Sequence, residues 1–214
     1  MRWHIEIWRI TIWRIALGAL FTVTLWNQAA LAVDPRYPDW PCAQAKVPEI
    51  SVAAVWAGPP LDDAESKWKD DPKVSALVAK LSARRVPLDE AEKEITSFLS
   101  ASAVDKANAG KLLFAGLFDT LNAQRASVMN GLERVMRKQR QAAEKIRTDT
   151  LALQALQDAT PPDEAKVGEL GNQLTWETRI FEDRRHVVKY VCEVPTTIDQ
   201  RLFALSRAIQ QELD

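Results

Sequence analysis

The sequence has little of what most catalytic and nucleic-acid-binding sites require. Its 214 residues include only two histidines, two cysteines and seven glycines. The glycines are scattered and no G-x-x-x-x-G-K motif occurs, which excludes a phosphate-binding loop of that type. The cysteines form neither C-x-x-C nor C-x-x-C-H, which argues against thioredoxin-like chemistry and covalently attached haem. The formal net charge is −1, whereas nucleic-acid-binding domains carry a basic excess, so we expect no nucleic acid partner.

Only one histidine, His186, lies outside the N-terminal region, and the acidic residues Glu182 and Asp183 precede it. Carboxylates three and four residues before a helical histidine share its face and could bind a metal with it. Helical di-metal sites, however, combine two histidines with several glutamates, and the position of His186 in the helical repeat is on the outside. We therefore expect a solvated histidine, no catalytic, metal-binding or cofactor-binding residue, and a protein that is not an enzyme.

Residues 1–32 have the pattern of a cleavable export signal. Three arginines among the first fourteen residues precede an uncharged, mostly apolar run from Ile15 to Trp26. Ala30-Leu31-Ala32 then matches a signal-peptidase site, which predicts a periplasmic or secreted protein. No charge occurs in residues 15–33. An uncleaved inner-membrane anchor over this stretch is therefore the alternative, and it would be the chain's only membrane contact.

An exported chain with two cysteines predicts a disulfide, here between Cys42 and Cys192. Cys42 lies in a segment with prolines at positions 35, 38, 41 and 48, which exclude a helix. We interpret residues 33–60 as an extended, Pro-rich strap with one short helix. Tyr37 and Trp40 are predicted to anchor this strap on the domain surface, and the alternative is that they contact a partner.

A long helix with a sustained heptad pattern dominates the rest of the chain. From Phe114 to Leu156 mostly apolar residues recur at steps of four and three without a proline, over about 63 Å. The pair Pro161-Pro162 should end this helix, with Thr160 capping the next one. A second heptad pattern runs from Val167 to Val191. These features predict an antiparallel helical hairpin, whose protruding part, about residues 130–192, we call the arm.

The pairing of the two patterns also predicts what lies inside the arm. Leu153 should face Leu170, and the polar residues Gln139 and Arg184 should share one layer that fixes the register at some cost in stability. A second apolar line on the long helix, Met129 and Met136, predicts that a third helix touches the base of the arm.

Shorter apolar patterns predict a helical body at the base of the arm. They begin after Asp71-Pro72, after Pro87 and after Pro195. Gly110 and Gly116 are expected at close helix contacts. Together these features predict an all-α fold in which residues 61–214 form one domain, a helical bundle body with a long, coiled-coil-like antiparallel hairpin, preceded by the extended Pro-rich segment.

The arm carries the candidate partner contacts. Its basic run, which includes Arg137 and Arg140, is either a solvated face with pairs such as Glu133–Arg137 or a site for an anionic partner. Trp176 falls on the outside of the arm, where it is either covered by the last helix or contacts another molecule.

Our functional hypothesis is an exported, non-enzymatic interaction or scaffold protein that presents the arm to a protein partner or to a second copy. The alternative is a periplasmic ligand-binding or sensory-type bundle with a cavity near Phe98, Phe114 and Phe118.

Overall fold

The chain folds into helices of very unequal length. The computed structural model describes residues 34–62 and 64–214, so the predicted signal in residues 1–32 lies outside the described part. Within that part there are helices and no β-strand, which confirms the all-α fold. The helices are α1 Val52–Val55, α2 Ala64–Lys67, α3 Pro72–Leu81, α4 Leu88–Ala101, α5 Lys106–Asp158, α6 Glu164–Val191 and α7 Glu193–Leu213, with short 3₁₀ turns at Trp68–Asp70 and Ala103–Asp105.

Helices α5 and α6 form the predicted antiparallel hairpin. Helix α5 has 53 residues and is therefore about 80 Å long. The Nε2 atom of Gln139 donates to the carbonyl oxygen of Phe181 at 2.9 Å, and Lys145 contacts Glu177 at 2.8 Å. In these two contacts the residue number on α5 rises as the number on α6 falls. The helices therefore pair in antiparallel fashion, and their register is close to the predicted one.

The turn between these helices differs from the prediction in its cap. Helix α6 begins at Glu164, and its N-cap is Asp163, whose Oδ1 atom accepts from the backbone N–H of Lys166 at 3.2 Å. The prediction that Thr160 caps α6 was wrong. Because Pro161 itself precedes a proline, it is held in the extended region and cannot begin a helix.

The body is built around the first part of α5. Trp56 stacks on Phe114 with ring centroids 4.2 Å apart. A Cβ atom at Gly116 would lie 2.6 Å from a methyl of Val78 and 2.9 Å from the ring of Trp68, so this glycine permits the close packing that was predicted. Helices α3, α4 and α7 cover the same part of α5, and the largest fully buried side chains include Leu81, Ile95, Leu99, Leu113, Leu117, Leu121, Ile198, Leu202, Leu205 and Ile209.

The last helix turns back over the body rather than along the arm. Only Cys192 separates α6 from α7. The buried Arg201 of α7 donates to the carbonyl oxygens of Leu81 and Val86 at 2.8 and 2.9 Å and so holds the connection between α3 and α4. Burial lowers the pKa of its guanidinium from the usual value.

The disulfide joins the strap to the junction of α6 and α7. Cys42 and Cys192 are bonded with S–S 2.08 Å and Cα atoms 5.5 Å apart, the pairing that the sequence predicted. Residues Asp34–Asp214 form one compact unit, so the strap packs with the helices. Across the described ranges, no helix combines the length and apolar character that a membrane crossing demands.

Candidate interaction surface

The interior of the arm contains one buried amide. Gln139 is almost fully buried, and its Oε1 atom has no hydrogen-bond partner among the described residues. Arg184, predicted to share its layer, is instead exposed on the side of α6. The shared polar layer was wrong because the amide reaches the carbonyl oxygen of Phe181, one turn before Arg184, and leaves the guanidinium free to turn towards solvent.

The outer half of the arm is held together by a polar cluster. Lys145 donates to Asp149 at 2.5 Å and to Glu177 at 2.8 Å, and Gln173 donates to Glu177 at 3.0 Å. The hydrogen bonds to Asp149 and then to Glu177 raise the pKa of Lys145 above its usual value. The contact of Lys145 with Glu177 crosses between α5 and α6, whereas the other two lie within one helix. Lys145 therefore joins Asp149 and Glu177, the two polar positions that interrupt the heptad patterns here.

One side of the arm is covered by the strap. The Nζ atom of Lys46 lies 2.6 Å from Glu133, and both side chains are largely buried. Asp39 pairs with Arg137 at 3.2 Å and also with Arg140. The sequence had suggested that Glu133 pairs with Arg137, but Glu133 pairs with Lys46 of the strap instead. The extended strap brings this lysine closer to Glu133 than the arginine on the next turn of the helix.

The middle of the strap is held by a buried arginine. The Nη1 atom of Arg125 donates to the carbonyl oxygen of Val47 at 2.6 Å, and its Nε atom lies 2.7 Å from Asp199 of α7. The neighbouring Met129 is 2% exposed and lies beside Trp40 of the strap. The cavity that Met129 lines with Trp40 is also lined by Pro195 and Thr196 of α7. A third helix therefore reaches the base of the arm, as predicted, and the strap lies there as well.

The candidate strap contacts are partly occupied within the molecule. Tyr37 is half-buried under the ammonium group of Lys46, which lies 4.4 Å from the ring centroid. Trp40 is half-buried, and its Nε1 atom donates to the carbonyl oxygen of Gln44 at 2.7 Å. Arg137 and Arg140 keep about half of their side-chain surface exposed while they pair with the strap.

The opposite side of the arm carries an open apolar groove between α5 and α6. Its volume is about 710 Å³. The aliphatic side chains that line it are Val128, Leu132, Val135, Val187, Val188 and Val191. Four charged residues, Arg134, Lys138, Asp183 and Arg184, line it as well. A Cβ atom at Gly131 in this groove would meet only Arg134 of its own helix, at 3.8 Å. The space at Gly131 is therefore open.

The groove continues along α6 as a line of exposed apolar side chains. Tyr190, Val187, Ile180 and Trp176 lie on one stripe of the helix, and their exposed fractions are 75, 57, 44 and 65%. We call these four residues the exposed stripe. Helix α7 does not cover Trp176, and the nearest ring contact is the guanidinium of Arg179, 5.9 Å from the indole.

The basic run divides between the two sides of the arm. Arg137 and Arg140 pair with the strap, and Arg147 pairs with Glu144 on its own helix. Arg134 and Lys138, which line the groove, form no ion pair with any residue that the structure describes, and the same holds for Arg184. The groove side thus has cations that form no ion pair with another described residue.

Sequence reasoning identified Trp176 but missed the other members of the exposed stripe. Ile180, Val187 and Tyr190 each stand one residue before a position of the buried heptad line of α6. A search for a second heptad line, shifted by one residue, would have found all four. Such a line marks a helix with two contact faces rather than one.

His186 is exposed on α6, as expected. Among residues 34–62 and 64–214, no group of three or more histidine, cysteine, aspartate or glutamate side chains is arranged to hold a metal ion. Comparison of the chain with protein-family models gave no match, and comparison with curated proteins and with solved structures gave no significant match either. The function is therefore argued from the surface itself.

Proposed function

We propose that this is an exported, non-enzymatic interaction protein whose helical arm binds another protein or a second copy. The observation that carries the proposal is the exposed stripe on α6, four large apolar or aromatic side chains at helical spacing with no cover from the rest of the described chain. Scattered exposed apolar residues are normal, but several of them on one stripe of a helix, beside an apolar groove, mark a protein-binding surface. Aromatic residues such as Trp176 and Tyr190 are also enriched at interfaces.

Export is part of the same proposal. It is supported by the signal-like pattern of residues 1–32 and by the disulfide between Cys42 and Cys192, since disulfides persist in oxidising compartments. Cleavage after Ala32 predicts that the intact mass of protein recovered from the periplasm corresponds to a chain that begins at Val33. Recovery of full-length protein from the membrane fraction would favour the anchored form instead.

The ligand-binding bundle has less support. Phe114 is fully buried and stacks on Trp56, and Phe118 packs on Phe114 with ring centroids 5.9 Å apart. The part of the body where a cavity was expected is thus occupied by side chains. The groove on the arm is open to solvent along its length, which suits a helix or a loop of another protein better than an enclosed small molecule.

The proposal is tested by site-specific photo-crosslinking in cells that export the full chain. A photoreactive amino acid at position 176 should give an adduct with a partner or with a second copy. The same group in place of Thr178, which is exposed on a different side of α6, is the matched control and should give none. Trp176→Ala should abolish the association measured by sedimentation. A protein that is monomeric at all concentrations and gives no adduct at position 176 would overturn the proposal.

A further inference from the structure

The groove and the exposed stripe together have the size of a helix-binding site. From Trp176 to Tyr190 the stripe covers 14 helical steps, or about 21 Å. A partner helix of about four turns would match that length. The groove lies between two antiparallel helices, and Val188 and Val191 of the heptad line of α6 line it. A third helix packs at such a place in a three-helix bundle.

The charges along the groove select the kind of helix. Arg134 and Lys138 on α5 and Arg184 on α6 have no ion pair within the described residues, and Asp183 is the acidic residue that lines the groove with them. A second copy docked groove to groove would bring these cations against their own equivalents. Like charges placed together suppress that pairing, whereas an acidic partner would be attracted.

We infer that the groove binds an amphipathic helix of another protein, with apolar residues on one face and glutamates or aspartates along its flanks. The inference rests on the proposed function and narrows it, because it names the partner's chemistry and excludes self-association through this surface. Val187 both lines the groove and belongs to the exposed stripe, and Trp176 and Tyr190 would lie at the two ends of the contact. The unpaired cations would flank the apolar contact and pair with the partner's acids.

The test uses the mature protein and two synthetic helical peptides. Both peptides carry the same heptad pattern of leucines, and their flanking positions are all glutamate in one and all lysine in the other. We expect fluorescence anisotropy to give about tenfold tighter binding of the glutamate peptide, because three exposed ion pairs each contribute a small factor. High salt should reduce this preference, since it screens exposed charges.

Two variants locate the binding in the groove. Val187→Glu should abolish binding of the glutamate peptide, because it places an acid where the groove and the exposed stripe overlap. Leu151→Glu is the matched control, since Leu151 is also apolar, lies on the arm and is 54% exposed, against 57% for Val187. It should leave binding unchanged. The double variant Arg134→Glu, Lys138→Glu should reverse the preference towards the lysine peptide.

The outcomes separate the inference from the proposed function. Equal affinity for the two peptides, or glutamate-peptide binding that survives Val187→Glu, would overturn the inference. A dimer that Val187→Glu dissociates would also overturn it, while the arm would keep its proposed role as an interaction element. A monomer that binds neither peptide and gives no crosslink at position 176 would overturn both.

Discussion

The disulfide between the strap and the junction of α6 and α7 should make a large contribution to stability. It closes a span of 150 residues, for which the chain-entropy relation gives about 5 kcal/mol. The relation is an upper figure, because the unfolded chain is more compact than a random coil. The ion pair between Lys46 and Glu133 and the hydrogen bond from Arg125 to Val47 remain available without the disulfide. We therefore expect the folded helices to persist and the loss to come mainly from the unfolded state.

The perturbation is the double variant Cys42→Ala, Cys192→Ala, compared with the oxidised wild-type protein. Urea unfolding followed by far-UV circular dichroism should show a loss of about 3–5 kcal/mol in the free energy of unfolding. Thermal unfolding should shift down by about 10 °C, given the usual response of a chain of this size. The non-reduced wild-type protein should also take up no thiol-blocking reagent. A loss below about 1 kcal/mol, or two reactive thiols in the exported protein, would refute the reasoning.

Five further substitutions, two of which serve as comparisons, test the packing, and each is measured by urea unfolding. Gly116→Ala should destabilise by about 1–2 kcal/mol because its Cβ would lie 2.6 Å from a valine methyl of α3. Gly171→Ala, with no neighbouring atom within 4 Å, should stabilise the protein by about 0.5–1 kcal/mol. Stability changes of the same sign at both glycines would contradict the close packing of α3 on α5 at Gly116. Arg125→Met should cost about 2–4 kcal/mol, since it leaves an acid and strap carbonyl groups unpaired. The control Arg134→Met should change stability by less than about 0.5 kcal/mol. Equal losses at both arginines would contradict the stabilising role of the contacts that Arg125 makes with the strap and with α7. Gln139→Leu should stabilise by about 1 kcal/mol, because it removes a buried amide oxygen that has no partner in the described chain; a destabilised variant would mean that the amide makes a net favourable contribution.

The hairpin could be predicted because a long heptad pattern leaves few alternatives. Once the two adjacent prolines set the turn, each apolar residue of α5 has one position on α6 to face, and the register follows. The same reasoning could not place the helix cap, because Thr160 and Asp163 are both good N-cap residues. Only the effect of one proline on the preceding proline decides between them.

The strap contacts and the groove could not be predicted, for a different reason. Lys46 and Glu133 are far apart in the sequence, and on a helical wheel Glu133 has a suitable partner on its own helix. Sequence periodicity describes which face of a helix is buried, but it does not say whether a helix or an extended segment covers that face. Met129 is such a case, since residues of the strap and of the start of α7 both line the cavity beside it.

The covered side of the arm indicates what the open side requires. On the covered side, Asp39 of the strap pairs with Arg137 and Arg140, and the buried, apolar Met129 lines a cavity with Trp40 of the strap. The open side presents the same two features, cations and apolar side chains, and no described segment covers them. Both sides belong to the basic helix α5, so the same physical chemistry applies to each. A segment that carries acids beside apolar groups can pair with the cations and cover the apolar side chains. An acidic amphipathic helix in the groove would pair with the cations and cover the apolar side chains of the open side, as the strap does on the covered side.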